Sequence, residues 1–298
     1  MPHWFLSTRA HSIGGPVSAE VKIIDADRTG ITSDLKPELL EAIRGHDVFF
    51  AVHGFNVNQR DGLAHLGFWF KNLDVGNAVK IGILWPGDCI IPIFVDYVLE
   101  GHEAIQSGKL LADFLNTNFT GAVTLSFASH SLGARVVLQT ISGLNRTIRR
   151  VLLMAGAIDD NCLTGEYANA AKKVEQISIL ASTRDAVLAA AYPLGNPIQG
   201  IIDRGHPYYH AALGREGPAP PFPNDLQVKS GWQIPKNIDY GHLDYIPGKS
   251  LPASFPQPVD IPPDAGPFPP AGAPDPINDD SKLWKPAWSA AFATNRYK

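Results

Sequence analysis

Short apolar runs rich in β-branched and aromatic residues alternate along this chain with stretches whose apolar residues recur at helical spacing. The first run, His3 to Thr8, reads as a strand. A turn at Ser12-Ile13-Gly14-Gly15-Pro16 leads to a second strand over Glu20 to Asp25, so the sheet opens with a hairpin. A helix is predicted over Asp34 to Arg44, with Ser33 or Asp34 as cap, Pro37 in its first turn and Gly45 as its stop. Asp47 to Val52 is almost continuously apolar, as expected of a central parallel strand covered on both faces. The same alternation then gives a helix from about Gln59 to Leu73, a strand over Val79 to Leu84 and helical pattern from Cys89 to Asn118 with a break at Gly101. Next come a strand from Val123, a helix after Gly133, a strand over Val151 to Ala155, a helix over Gly165 to Lys173 and a strand over Gln176 to Ala181. Strand and helix in alternation build a mostly parallel sheet with helices on both faces, an α/β fold whose ligands bind outside the carboxyl ends of the strands.

From Gly214 the pattern stops. Gly217-Pro218-Ala219-Pro220-Pro221-Phe222-Pro223 is a rigid connection, and Pro247 to Pro276 is Pro/Ala/Gly/Asp sequence that lacks the apolar residues for a core of its own. The expected organisation is one α/β domain over residues 1–247 and a Pro-rich extension over 248–298 that packs on its surface. Trp284, Trp288 and Phe292 have the helix-like spacing to dock that extension.

Composition changes this picture little. With 45% hydrophobic and 18% charged residues and a net charge of −4, the chain has no basic excess that would suit nucleic acid. Cys89 and Cys162 form no C-x-x-C pair or metal-like spacing, so a buried thiol is the expectation for each, with no metal and no cofactor called for. The amino-terminal residues lack a basic stretch followed by a sustained apolar one, and the longest apolar run, Cys89 to Leu99, is interrupted by Pro92 and Asp96. No signal peptide and no membrane span are expected, which leaves a cytoplasmic location. Oligomeric state is not written in these features.

The chemistry gathers at Ser126-Phe127-Ala128-Ser129-His130-Ser131-Leu132-Gly133, where a strand turns abruptly into a helix. That context suits a nucleophile elbow, in which a serine is exposed on a turn so tight that the residues two positions either side must be small. Gly133 meets the requirement fully and Ser129 acceptably. A serine hydroxyl attacks only when a base takes its proton and a carboxylate orients the base. In elbows of this type acid and histidine follow the serine in that order. Asp185, at the carboxyl end of the strand over 176–181, is the favoured acid, ahead of Asp159 and Asp160 on the preceding strand end; it would also suit as a cap for the helix starting at Ala186. His206, His210 and His242 are the histidines downstream, and His242, in a loop between Gly241 and polar residues, is favoured as base. His130, beside the serine, is expected to point away from it. The backbone N–H of Leu132 at a helix start and that of Phe55, in the loop His53-Gly54-Phe55-Asn56, are the expected oxyanion donors, with His53 stabilising the loop.

Val52-His53-Gly54-Phe55-Asn56-Val57, Trp85-Pro86-Gly87 and Ser129-His130-Ser131-Leu132-Gly133 resemble the strand-end blocks V-H-G-F-N, W-P-S and A-H-S-M-G of a bacterial α/β-hydrolase family largely of unknown function. The similarity runs over roughly residues 45 to 247, with Gly87 for Ser and Ser129 for Ala as departures; Asp159 and Asp185 fit later strand ends and Gly241-His242 the terminal histidine block. The resemblance implies an α/β-hydrolase fold and hydrolysis of a small-molecule ester. Rival readings are a silent hydrolase-fold binding protein, and a thioesterase or amidase using the same residues.

Overall fold

A computed structural model of the chain describes residues 4–26, 35–72, 75, 77–88, 93–190, 210–219, 230–234 and 241–245. Among the described residues eight strands form one sheet: β1 (Trp4–Arg9), β2 (Val17–Asp25), β3 (Val48–Val52), β4 (Val79–Leu84), β5 (Leu125–His130), β6 (Ile148–Met154), β7 (Val174–Ser182) and β8 (Ser230–Ile234). Their order is β2-β1-β4-β3-β5-β6-β7-β8. Among these eight strands only the β1–β2 hairpin is antiparallel; the other strand pairings are parallel. The helices among the described residues are α1 (Lys36–Ile43), α2 (Gln59–Asn72), α3 (Ile93–Asn118), α4 (Gly133–Gly143), α5 (Ala168–Lys172), α6 (Ala186–Ala190) and α7 (Leu213–Glu216). The expected α/β-hydrolase architecture is borne out.

Strand parity shows why β3 and β5 are buried at every position. Phe50, stacked on Phe127 at 4.8 Å, also meets Phe119 just beyond α3 at 5.6 Å, and Thr8 bonds Ser107 of α3. Phe5 instead meets Phe70 of α2, and a Cβ on its register partner Gly82 would fall 3.2 Å from Leu66 of α2. Helices thus cover both faces, which is the condition for continuously apolar strands.

The predicted break at Gly101 does not occur: α3 runs unbroken. One mid-helix glycine costs only about 1 kcal/mol, and Ala104, Ser107, Leu111 and Leu115 form a buried stripe that holds the helix. A Cβ on Gly108 would stand 2.6 Å from Gln139 and 2.9 Å from the Val136 carbonyl, so α3 and α4 touch nearly backbone to backbone there.

Other boundaries also differ. The first helix starts after Leu35, its N-cap, which makes no side-chain cap bond. Of the helix expected over 165–173 only 168–172 is helical, because Thr164 and Gly165 bond back to Asn161 in a separate turn. β8 and α7 were not foreseen. No helix among the described residues is long and apolar enough to cross a membrane. Ser33, Asp34, Cys89, His206 and the extension carrying Trp284, Trp288 and Phe292 lie outside the described residues.

Candidate active site

β5 ends at His130 and α4 begins at Gly133, so the strand reverses into a helix within two residues. Ser131 adopts φ +53°, the left-handed region that costs a non-glycine residue about 1–3 kcal/mol. The turn is over-determined by backbone bonds: Ser131 N–H donates to Met154 at 3.0 Å, and its carbonyl accepts from Ala134 and Ala157, both at 3.1 Å. Gly133 is required by close approach, since a Cβ there would lie 2.5 Å from the His53 carbonyl oxygen. Ser129 is buried, its hydroxyl without a hydrogen bond among the described residues. Asn56 and Ala155 also have positive φ, so left-handed residues follow three neighbouring strands, β3, β5 and β6, at the sheet's carboxyl edge.

Ser131, His242 and Asp185 stand in one hydrogen-bonded row. Ser131 Oγ is 2.9 Å from His242 Nε2, and His242 Nδ1 is 2.7 Å from Asp185 Oδ2. The carboxylate facing Nδ1 fixes the ring proton on that nitrogen, which leaves Nε2 to accept from the serine. Asp185 is completely buried and its second oxygen accepts the N–H of Leu188 at 2.9 Å, so it both faces the imidazole and caps α6. β5 supplies the serine, the end of β7 the aspartate, and the turn at 241–244 the histidine; Asp244 closes that turn through the Gly241 N–H.

The other contenders lie elsewhere. Asp160 Oδ1 meets His210 Nδ1 at 3.1 Å, while Asn161 donates its amide to His210 Nε2 at 2.9 Å. Burial raises the Asp160 pKa, against the opposing pull of His210. Asp159 is buried, in a backbone bridge with Ala212.

The loop after β3 is pressed against the elbow. A Cβ on Gly54 would meet both Ser131 Cβ and His130 Nδ1 at 2.9 Å, which brings the Gly54-Phe55 backbone up to Ser131. Leu132 is the N-cap of α4, so its N–H is among the amides that have no acceptor inside the helix. His53 fastens the loop to the end of β4: Nδ1 bonds the Gly54 carbonyl at 2.9 Å, Nε2 accepts from Trp85 N–H at 3.3 Å, and the Trp85 indole donates to the His53 carbonyl at 2.9 Å. Burial lowers the His53 pKa to about 3, so the ring is neutral.

Sequence reasoning missed the clamp beneath this loop. Arg9, fully buried at the end of β1, pairs with Asp88 and donates to the Trp85 carbonyl at 2.8 Å and the Val57 carbonyl at 3.4 Å. Asp88 also accepts the Gly14 N–H at 3.0 Å. An arginine ending an apolar strand was the available signal. Among the described residues no group of three or more His, Cys, Asp or Glu is placed to hold a metal ion. Burial pushes the Cys162 thiol well up, away from reactivity.

The comparisons with known proteins add a family but no activity. No curated protein matches the chain. Among solved structures it is similar to an uncharacterised protein from Bacillus cereus ATCC 10987, at 13% identity and a TM-score of 0.38, over 74% of this chain and 58% of that one. The chain thus spans under two thirds of that protein's length. A family model matches residues 28–221, which include Ser131 and Asp185 but stop short of His242, unlike the span to 247 that the motif resemblance suggested. On that match the chain belongs to the α/β-hydrolase family of unknown function, DUF900.

Proposed function

We propose that this protein is a serine hydrolase acting on small-molecule carboxylic esters, with Ser131 as nucleophile, His242 as base and Asp185 as orienting acid. The observation that supports the reading is the unbroken row from serine hydroxyl to buried carboxylate, 2.9 Å and then 2.7 Å, on a left-handed serine at a strand-to-helix turn. Ser131 Oγ attacks the ester carbonyl carbon as its proton passes to His242 Nε2. The resulting imidazolium is stabilised by Asp185. The carbonyl π-bond opens to an oxyanion, for which the N–H groups of Leu132 and Phe55 are the proposed donors. Collapse re-forms the carbonyl, breaks the bond to the leaving alkoxide and returns the proton from His242, leaving an acyl group on Ser131. Water, deprotonated by His242, then releases the acid and restores the serine.

A fluorophosphonate probe tests this directly. The expected result is one adduct, on Ser131, with no labelling of Ser131→Ala. An unreactive folded protein would leave the silent binding reading in its place. Turnover of matched ester, thioester and amide substrates then decides which acyl derivative is cleaved; preference for a thioester or amide would overturn the ester assignment while keeping the mechanism.

A further inference from the structure

The residue before the nucleophile reaches the loop that carries the base. His130 Nε2 lies 2.7 Å from the backbone carbonyl oxygen of His242, and the two imidazole rings are tilted against each other with centroids 4.7 Å apart. His130 is buried, with Gly54 so close that a Cβ there would lie 2.9 Å from its Nδ1, and with Tyr245 6.3 Å away between ring centres. The carbonyl can only accept, so Nε2 carries the proton and donates.

The turn at 241–244 is closed internally, by the Gly241 N–H on the Asp244 carboxylate and by Asp244 N–H on the Gly241 carbonyl at 3.2 Å. Those bonds set the shape of the turn and say nothing about where it stands. The imidazole's own bonds to Ser131 and Asp185 are side-chain bonds, and rotation about the two side-chain torsions of His242 breaks them. The bond from His130 acts on the backbone that carries the imidazole. It hangs that backbone from the last residue of β5, one peptide from the nucleophile, so serine and histidine take their positions from the same strand end.

We infer that His130 is a positioning residue: its Nε2–H donates to the His242 carbonyl and thereby holds the His242 imidazole within hydrogen-bond reach of Ser131. This rests on the reading of Ser131 and His242 as nucleophile and base, and the experiment separates the two. His130→Phe keeps a ring but removes the donor, whereas His130→Gln keeps an N–H that can reach the same carbonyl. A buried acceptor left without its donor corresponds to a loss of about 10- to 100-fold. That loss should fall on kcat and on the rate of fluorophosphonate labelling in His130→Phe, with KM within about twofold of wild type, and His130→Gln should recover most of it.

Independently of activity, the proton between His242 Nδ1 and Asp185 should give a strongly deshielded proton NMR signal in the wild type. The signal should broaden or vanish in His130→Phe and return in His130→Gln. A folded His130→Phe protein with an unchanged deshielded signal and unchanged labelling would overturn the inference, as would equal losses in Phe and Gln variants. If the wild type is never labelled, the hydrolase reading falls, and the NMR comparison alone decides the role of His130.

Discussion

Two aspartate–histidine pairs sit at the carboxyl edge of this sheet, and they have opposite environments. Asp185–His242 is 0% and 8% exposed at its side chains; Asp160–His210 is 16% and 46% exposed. Their Nδ1-to-carboxylate distances are similar, 2.7 Å and 3.1 Å. What separates them is the far nitrogen. His242 Nε2 faces a hydroxyl that can give it a proton, whereas His210 Nε2 is already taken by the Asn161 amide. A histidine with a carboxylate behind it becomes a base only if its other nitrogen is left for the reaction.

The largest effects should break that comparison outright. Ser131→Ala and His242→Ala should each lower ester turnover by at least ~10⁴-fold, since members of such a unit fail together. His210→Ala should leave kcat within about twofold. Equal losses in His210→Ala and His242→Ala would return the base to the earlier loop. Next, Asp185→Asn should cost on the order of 10⁴-fold in kcat, because the amide no longer favours the Nδ1–H tautomer, while Asp160→Asn should change kcat little. Steady-state kinetics on all five variants gives the order.

A smaller effect concerns stability. His53 has a folded pKa of about 3 and an unfolded value near ~6.5, so the unfolded chain binds the extra proton between these values. The contribution of neutral His53 is complete above ~6.5 and is lost as pH falls toward about 3, at up to ~1.4 kcal/mol per pH unit. Denaturant titrations across that window should show a steeper decline in wild type than in His53→Gln; parallel curves would mean that the ring is not held neutral. Smallest is the exposed pair itself: His210→Ala should destabilise by less than ~1 kcal/mol in the same titrations.

The contrast between the pairs also bears on what could be read before the fold was known. The elbow was legible because it is local: the change from strand to helical spacing and the demand for a small residue at Gly133 lie within one stretch. Asp185 and the loop after β3 were legible as strand ends, since parallel strands deliver their termini to one edge. The preference for Asp185 over Asp159 and Asp160 rested on chain order and strand-end position, and it is packing that sets Asp185 against His242 and Asp160 against His210. His130 was set aside as a neighbour that must point away, and its partner is 112 residues distant in sequence. β8, Ser230–Ile234, has too little alternation to stand out, and α7 has only four residues. The false break at Gly101 came from weighing a local propensity above a buried stripe that only the α3–α4 contact makes visible.

The buried Arg9–Asp88 pair has a consequence for where this protein can be cut. The segment shared with the family begins at residue 28 and ends at 221. Arg9, outside that segment, grips Val57, Trp85 and Asp88, which flank the loop against Ser131. A fragment trimmed to the shared segment loses β1, leaves Asp88 without its guanidinium and drops His242. Buried charge without its partner costs about 3–5 kcal/mol, a large share of what holds an ordinary domain folded. The segment shared with the family is therefore narrower than the set of residues that meet at this edge of the sheet, and a truncated version meant to keep both the clamp and the Ser131–His242–Asp185 row has to retain Arg9 and His242.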